Sequence, residues 1–344
     1  MRHLSRQVHV DGLRGVAVLL MVMVHIAATW NPYTTTQTSV LAYGVSGLGG
    51  LAAPLFVTVF GWGAALRPLS LGQRAIRATV LLLLQLVVNL CAPHLFEPFT
   101  PGVLSLFAFL VLTQPWWLAV VRRGAAATAT VLTGIVFATY LANRWTGGLA
   151  WGDRIAVDGV SMWATHALLT GTYPLLPWLF FAIAGAWIQG VGELDQRRAF
   201  AAVACGGSMI SGMLLVRSLQ TGVPWALPSG EAYLTFFPAN APFLIAALAG
   251  VSIFWWSALA WSHRAAVLAP VGRMSLTVYV GHFLPLFWVH RWDESGGWSL
   301  NTAMAAVLIY TLTWGAVARR WFVSKPHWTL ERAMRNIEKW FVRD

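Results

Sequence analysis

Long apolar runs separated by short polar segments dominate the 344-residue chain. A helix needs about 20 mostly apolar residues to cross a bilayer, and because lipid offers no hydrogen-bond partners, each run must satisfy its own backbone as a helix. Residues 160–172 are apolar but too short to cross, and we expect them to lie in the interface or to re-enter the membrane. The pattern predicts ten transmembrane helices, over residues 12–30, 45–66, 78–96, 102–121, 125–142, 173–191, 199–216, 237–261, 272–290 and 300–318.

The composition points to the same class of fold. Hydrophobic residues make up 58% of the chain and charged residues 10%, with a mean hydropathy of +0.64, whereas a soluble domain carries about 25% charged residues. These values exclude a large soluble domain, and the abundance of aromatic residues excludes a disordered chain. We therefore predict an all-α, polytopic integral membrane protein with a single transmembrane domain over residues 1–324 and a cytoplasmic tail over residues 325–344.

The predicted tail has the pattern of a short amphipathic helix. Leu330, Met334, Ile337 and Phe341 fall on one helical face, and basic residues occupy much of the remainder. Helices of this kind lie in the membrane interface with the apolar face buried. We expect the tail to anchor the chain on the inner leaflet.

The distribution of charge predicts the orientation. The formal net charge is +11 and the pI is near 10.6. With the N-terminus inside, 19 of the 23 Lys and Arg residues fall on the inner side, and the twelve acidic residues divide equally, which leaves +13 inside and −2 outside. Cytoplasmic loops carry such an excess of basic residues. Both termini are predicted to be cytoplasmic, in the cell (inner) membrane, and no nucleic-acid partner is needed to explain the pI.

Two ionisable residues in the first predicted helix are the strongest candidates for function. Arg14 and His25 share one helical face and lie about 16 Å apart along the axis, and Asp11 can pair with Arg14 or cap the helix. Ionisable residues within a membrane are costly and are functional candidates by default. Arg14 could instead extend to the headgroups, and His25 could form only a structural hydrogen bond with a neighbouring helix.

No metal site is predicted from the spacing of potential ligands. Cys91 and Cys205 lie in apolar runs without a CxxC pair, and we expect them to be thiols of the core. His94 and Glu97 are close in sequence, but two residues do not make a zinc site.

The first helix, DGLRGVAVLLMVMVH, resembles that of the acyltransferase-3 family of membrane enzymes, in which a D-G-L-R-[GA] opening precedes an arginine-to-histidine spacing of ten intervening residues. The matching positions are Asp11–Gly15 and His25. Three further segments resemble the wider superfamily, which includes heparan-α-glucosaminide N-acetyltransferase-like proteins. They are LAAPLFVTVFGWGAAL (51–66), YPLLPWLFFAIAGAWIQG (173–190) and VGRMSLTVYVGHFLPL (271–286).

The resemblance implies transfer of an acyl group, usually acetyl, from cytoplasmic acyl-CoA to an acceptor at or beyond the membrane. Coenzyme A is polyanionic, and arginines on the inner side could hold its phosphates by charge-assisted hydrogen bonds. Of these arginines, only Arg14 and Arg273 are set into helices, where the orientation of the chain alone does not explain them. The donor-binding residues expected are Arg14, Arg273, Arg67, Arg74 and Arg77.

The remaining catalytic candidates follow from the same resemblance. His25 could act as a general base on the acceptor hydroxyl or amine, or as a transient acyl carrier, and the sequence leaves both roles open. In the ninth predicted helix Tyr279, His282 and Ser275 share a face. His282 could orient His25 or the acyl group, or form a structural interhelical hydrogen bond.

Outward connections could contribute to an acceptor site. Carboxylates and aromatic rings suit a sugar, since hydroxyls need acceptors and pyranose faces need flat partners, although Trp and Tyr also collect at membrane interfaces for structural reasons. The residues concerned are Asp153, Asp158, His166, Tyr173, Trp178, Glu231 and Asp293.

We therefore expect an acyltransferase that takes acetyl-CoA or another acyl-CoA as co-substrate, without a metal, and acts on a carbohydrate or lipid-linked acceptor. It would have membrane lipid as its surroundings and could form a homo-oligomer. A transporter or flippase is the main alternative, because intramembrane charges also line transport paths. A non-catalytic accessory subunit that retains the fold is a third.

Overall fold

The computed structural model describes residues 7–30, 39–142, 148 and 150–341. The predicted domain begins with residues 1–6 and the predicted tail ends with residues 342–344, and both segments lie outside the described residues. Within the described ranges the chain forms eighteen α-helices: α1 Val8–Thr29, α2 Val40–Leu66, α3 Leu71–Cys91, α4 Val103–Leu112, α5 Gln114–Arg122, α6 Ala125–Ala142, α7 Gly152–Ile155, α8 Val160–Thr165, α9 Leu175–Gln189, α10 Glu193–Thr221, α11 Ala241–Ala260, α12 Ser262–Ala265, α13 Ala269–Arg273, α14 Ser275–Gly281, α15 Phe283–Val289, α16 Trp292–Gly296, α17 Leu300–Ser324 and α18 Leu330–Phe341.

Short elements complete the described chain. A π-helical turn, His166–Thr170, follows α8, and a 3-10 turn, Ala266–Leu268, lies between α12 and α13. The strands β1 (Ala226–Leu227) and β2 (Leu234–Thr235) pair in parallel in the connection between α10 and α11.

The predicted all-α polytopic fold is confirmed. In the part of the chain that the structure describes, seven helices (α1, α2, α3, α6, α10, α11 and α17) are long and apolar enough to cross a membrane, and counting each of three bent pairs as one span gives up to ten. The bends are 65° between α4 and α5, 43° before α9, and 61° between the segments 262–273 and 275–289. The spans predicted over 102–121 and 272–290 are each interrupted by a bend, which the apolar pattern did not indicate, and residues 160–172 lead through a bend into α9.

The bend between α4 and α5 has an identifiable cause. Pro115 lies in the first turn of α5 and has no backbone N–H to continue α4. Backbone carbonyls at the bend are paired by side chains: Trp117 Nε1 donates to the oxygen of Leu110 at 3.0 Å, and Arg74 Nη1 donates to that of Leu112 at 2.9 Å. Backbone polar groups in a membrane must find partners within the protein, so these side chains stabilise the break.

The chain divides into two compact units. Unit 1 combines Met1–Phe56 with Ile253–Ala333, and unit 2 combines Val57–Ser252 with Met334–Asp344. The boundaries fall inside α2, α11 and α18. This division by contacts does not test the predicted single transmembrane domain and separate tail, which stay predictions.

In unit 1, α1 packs against the segment 262–273 at backbone distance. A Cβ on Gly12 would lie 2.2 Å from the carbonyl oxygen of Ala265, and one on Gly15 would lie 2.4 Å from that of Leu268. From the opposite side, a Cβ on Gly272 would lie 1.8 Å from a carbonyl oxygen of α1. The two glycines of the DGLRG opening are therefore needed for close helix packing, which drives helix association in membranes.

The tail forms the predicted helix, α18, and its acidic side docks on the protein. Glu338 is 5% exposed and forms a bidentate ion pair with Arg77 within unit 2. On the predicted apolar face, Met334 is half-buried, whereas Phe341 is exposed. The interfacial position of α18 stays a prediction.

The expectation for the cysteines is wrong at one position. Cys205 is exposed on α10, because only 11% of the most apolar stretch of that helix is buried in the protein. Cys91 is half-buried.

Replacing Gly15 by Ala tests the close packing of α1. The added methyl group would overlap the Leu268 carbonyl, so we expect the free energy of unfolding to fall by about 1–3 kcal/mol. The matched control is Gly206→Ala in α10, where no described atom lies within 4 Å of the new Cβ. Since Ala is the better helix former, the control should be unchanged or more stable. The free energy of unfolding of both variants is measured by denaturation in detergent. Equal changes in the two variants would contradict the packing argument.

Candidate active site

The two histidines singled out in the sequence form a direct pair inside unit 1. His25 Nδ1, on α1, lies 3.0 Å from Nε2 of His282, which stands between α14 and α15. His25 is 8% exposed and His282 is fully buried, and their rings are nearly parallel, with an interplanar angle of 9° and centroids 5.1 Å apart. The structure therefore brings together residues that are 257 positions apart in the chain.

The partners of His282 determine which ring nitrogens carry protons. His282 Nδ1 lies 3.1 Å from the carbonyl oxygen of Val278, which can only accept, so this nitrogen is the donor. In the neutral ring Nε2 is then unprotonated and accepts the proton of His25 Nδ1. It follows that Nε2 of His25 carries a lone pair, and this nitrogen can take a proton or attack an acyl carbon.

The surroundings of the pair hold both backbones and rings in place. Tyr310, on α17, donates its hydroxyl to the carbonyl oxygen of His282 at 2.7 Å, and Thr29 donates to that of His25 at 2.8 Å. The ring of Tyr279 meets the His25 ring edge-on at 5.7 Å, and Phe283 lies 4.7 Å from it between centroids. Tyr279, the fourth catalytic candidate, therefore contacts the pair through its ring.

Near the N-terminal end of α1, Arg14 and Arg273 converge on one carboxylate. Arg273 Nε donates to Asp11 Oδ2 at 3.1 Å, and Arg14 Nη1 lies 4.0 Å from Asp11 Oδ1. Asp11 is 5% exposed, whereas about a third of each arginine side chain is exposed. Two guanidinium groups and one carboxylate leave a net positive charge that can bind an anion.

Packed apolar side chains separate the two ends of this face. Val18 and Met21 lie between Arg14 and His25 on α1, and both are at most 1% exposed. The helix is continuous from Val8 to Thr29, so the two ends stay about 16 Å apart along the axis.

The other three arginines expected to bind the donor belong to unit 2. Arg77 is engaged by Glu338, and Arg74 pairs the Leu112 carbonyl at the bend after α4. For Arg67 the structure records only a backbone contact, from Gln114 at 3.5 Å. Structural roles thus account for Arg74 and Arg77, and a part for any of the three in donor binding stays a prediction.

Tyr173 and Trp178, expected among the outward residues, are largely buried in an aromatic cluster of unit 2. Tyr173 lies 5.1 Å from Trp178 and 5.5 Å from Phe237 between ring centroids. Their packing is that of core residues. Among the described residues no group of three or more His, Cys, Asp or Glu side chains could bind a metal.

The sequence did not predict two features of the site. The main partner of Asp11 is Arg273, 262 positions away, and not the nearby Arg14. The second feature is the hydrogen bond from Tyr310 to the His282 carbonyl. The sequence could have indicated that the Tyr310 hydroxyl has a partner, since a buried tyrosine hydroxyl usually finds one. Its target, a backbone carbonyl at a helix break, follows only from the fold.

Replacing Asp11 by Ala tests whether the carboxylate joins α1 to α13. Hydrogen bonds to charged groups contribute about 1.5–3 kcal/mol, so we expect Asp11→Ala to lower the free energy of unfolding by that amount. The control is Glu193→Ala, which removes an exposed ion pair with Arg197 and should cost at most about 1 kcal/mol. A loss for Asp11→Ala no larger than the control's, measured in detergent, would contradict this role.

Comparison with known proteins adds an independent finding. Residues 8–320 match the acyltransferase-3 family, described as an acyltransferase domain, and the match includes both histidines and both arginines of the site. No curated protein matches the chain. Because the match covers most of the chain and agrees with the expectation from the first helix, the chain belongs to the acyltransferase-3 family of membrane acyltransferases.

Proposed function

We propose that the protein transfers an acyl group, most simply acetyl, from cytoplasmic acyl-CoA to a hydroxyl or amine of a sugar, a glycolipid or another envelope acceptor. The observation that carries this proposal is the His25–His282 pair, which leaves an unprotonated ring nitrogen on His25 beside a fully buried partner.

His25 acts as the general base in this proposal. Its Nε2 takes the proton of the acceptor hydroxyl or amine as the oxygen or nitrogen attacks the thioester carbon. The new bond to the acyl carbon forms, the carbon–sulfur bond breaks, and the proton passes to the departing thiolate. The imidazolium formed in between keeps its Nδ1–H hydrogen bond to His282, which holds the ring in one tautomer and supports the positive charge.

The donor is held at the arginines around Asp11. Arg14 and Arg273 present partly exposed guanidinium groups with a net positive charge, and guanidinium groups match phosphate oxygens in geometry and charge. Arg273 also lies over the ring of Phe322, 5.6 Å from its centroid, which limits its orientation. The residues present therefore fit a polyanionic donor.

The thioester must then reach His25 along α1. An extended arm of the donor would have to span the distance of about 16 Å, and Val18 and Met21 are buried between the two residues on α1. Methionine is unbranched and changes rotamer at low cost. Movement of Met21 is thus the simplest opening for the arm.

The orientation follows from the distribution of charge. We propose a multi-pass protein of the cell (inner) membrane with cytoplasmic termini, so that the Arg14 end of α1 meets cytoplasmic acyl-CoA. The acceptor approaches His25 from the other side of the membrane.

Replacing His25 by Ala tests the general base. A positioned base contributes about 10²–10⁴ in rate, so kcat for acyl transfer by purified protein in lipid should fall by that factor, with little change in KM for the donor. His282→Ala should cause a smaller loss, and His282→Gln should recover part of it, because the amide oxygen can accept from His25 Nδ1. His290→Ala is the control, since this histidine is half-buried and its ring contacts the Phe287 carbonyl rather than the histidine pair.

Undiminished transfer by His25→Ala would contradict the mechanism. A labelled acyl group trapped on His25 of the wild-type protein would instead assign it the role of acyl carrier. CoA-independent flux of a substrate without CoA binding would favour a transporter.

Replacing Arg14 or Arg273 by Ala tests donor binding. Loss of one charge-assisted hydrogen bond to phosphate costs about 1.5–3 kcal/mol, so KM for the donor should rise by about 10- to 100-fold while kcat changes less. Arg264→Ala is the matched control: Arg264 belongs to the same unit and lies near the Trp261 ring, 6.0 Å from its centroid. An equal rise in KM for all three variants would show only a general effect of positive charge.

A further inference from the structure

A carboxylate of the C-terminal helix contacts the start of the helix that leads to His282. Glu331 Oε1, on α18, accepts from the backbone N–H of Leu276 at 2.7 Å and of Thr277 at 3.3 Å. Its Oε2 accepts from the Thr277 hydroxyl at 2.6 Å. We propose that Glu331 is a positioning residue for acyl transfer, which caps α14 from outside and thereby fixes His282 against His25.

The break before α14 makes such a cap necessary. The chain bends by 61° at Met274, and the first N–H groups of a helix have no partner within it. Met274, at the cap position, offers no side-chain hydrogen bond. In a membrane an unpaired N–H group is costly, and the carboxylate of Glu331 supplies the acceptor with a charge of the sign that a helix N-terminus favours.

Thr277 makes the contact reciprocal. Its hydroxyl donates to Glu331 and accepts from the backbone N–H of Leu330, the first residue of α18, at 2.8 Å. Thr277 of α14 therefore pairs the first N–H group of α18, and Glu331 of α18 caps the start of α14. Loss of the Glu331 carboxylate leaves the N–H groups of Leu276 and Thr277 unpaired, and loss of the Thr277 hydroxyl leaves the N–H group of Leu330 unpaired.

The cap acts on the site through a short and stiff connection. Helix α14 has seven residues, and Val278, whose carbonyl fixes the proton on His282, directly follows Thr277. On the other side of the bend, Arg273 precedes the capped amides of Leu276 and Thr277 by three and four residues. The direction of α14 thus sets the position of His282. The bend that Glu331 stabilises lies between His282 and Arg273, which is proposed to bind the donor.

Glu331 lies beyond the part of the chain that matches the family. The match ends at residue 320, and α18 begins at Leu330. The cap therefore lies outside the matched region, and a shortened chain that keeps residues 8–320 would lack it.

Replacing Glu331 by Ala in the full-length protein in lipid nanodiscs tests the proposal, which rests on the proposed function for its activity readout. Loss of a cap corresponds to about a tenfold change in local opening, so hydrogen exchange of residues 275–282 should be about ten times faster. We expect kcat to fall by about tenfold with KM for the donor nearly unchanged. Glu331→Gln keeps one acceptor oxygen and should recover part of both losses.

The control is Glu338→Gln on the same helix. It weakens the Arg77 pair in unit 2 and leaves the Glu331 contacts intact, so exchange of residues 275–282 and kcat should both stay at wild-type values. Thr277→Val removes the hydroxyl contact but keeps the two amide contacts, so it should reproduce only part of the effect of Glu331→Ala. The double variant should lose less than the sum of the two single losses, since the hydroxyl contact is common to both.

A third readout does not depend on acyl transfer. Modification of His25 and His282 by diethyl pyrocarbonate, mapped by mass spectrometry, should increase in Glu331→Ala and not in Glu338→Gln, because release of α14 separates the histidine pair. If acyl transfer does not depend on His25, the proposed function fails. Hydrogen exchange of residues 275–282 and modification of the two histidines then still show whether Glu331 caps α14. Unchanged exchange and modification in Glu331→Ala would overturn the proposal, and so would an equal response of Glu338→Gln.

Discussion

Three glycines determine how closely α1 lies to the segment that leads to Arg273 and His282. Any Cβ at Gly12, Gly15 or Gly272 would lie less than 2.5 Å from a carbonyl oxygen across the contact. Lipid tails are as apolar as the helices themselves, so close packing and hydrogen bonds must hold such helices together. With the two backbones in contact at this end, Asp11 reaches Arg273, and further along α1 His25 meets His282. The site therefore depends on the absence of side chains at three positions.

A second constraint is that every polar group in the apolar interior needs a partner. Gln85 shows the usual solution, since its amide oxygen accepts from the N–H of Leu104 at the start of α4 at 2.9 Å, and its amide nitrogen donates to Asn89 at 2.8 Å. Both nitrogens of His282 are used in the same way. The His25 ring differs, because its hydrogen bond uses only Nδ1 and its tautomer leaves an acceptor on the other nitrogen. An unprotonated nitrogen on a ring that its partner holds in place is what suits His25 to proton transfer.

The sequence predicted those features that depend on local spacing. Apolar runs located the spans, and the eleven-residue separation of Arg14 and His25 placed them on one face. It did not predict contacts between distant segments: nothing near Asp11 marks Arg273 as its partner. The 61° bend at Met274 has the same origin, because a break within an apolar run is stable only where another segment supplies partners, here Glu331 from the tail. The apolar pattern of the tail predicts a helix, but it does not indicate that Glu331 and Glu338 bind other parts of the chain.

The geometry around Asp11 gives the two arginines unequal parts in the proposed reaction. Arg273 is bound to Asp11 at 3.1 Å and packs over Phe322, whereas Arg14 stands at 4.0 Å from the same carboxylate. An arriving phosphate competes with Asp11 for both, and the weaker ion pair yields first because coulombic attraction falls with distance. Arg14 can therefore turn to the donor first, while Arg273 still contacts Asp11. In this way the first contact with the donor leaves the pairing of Asp11 with Arg273 intact.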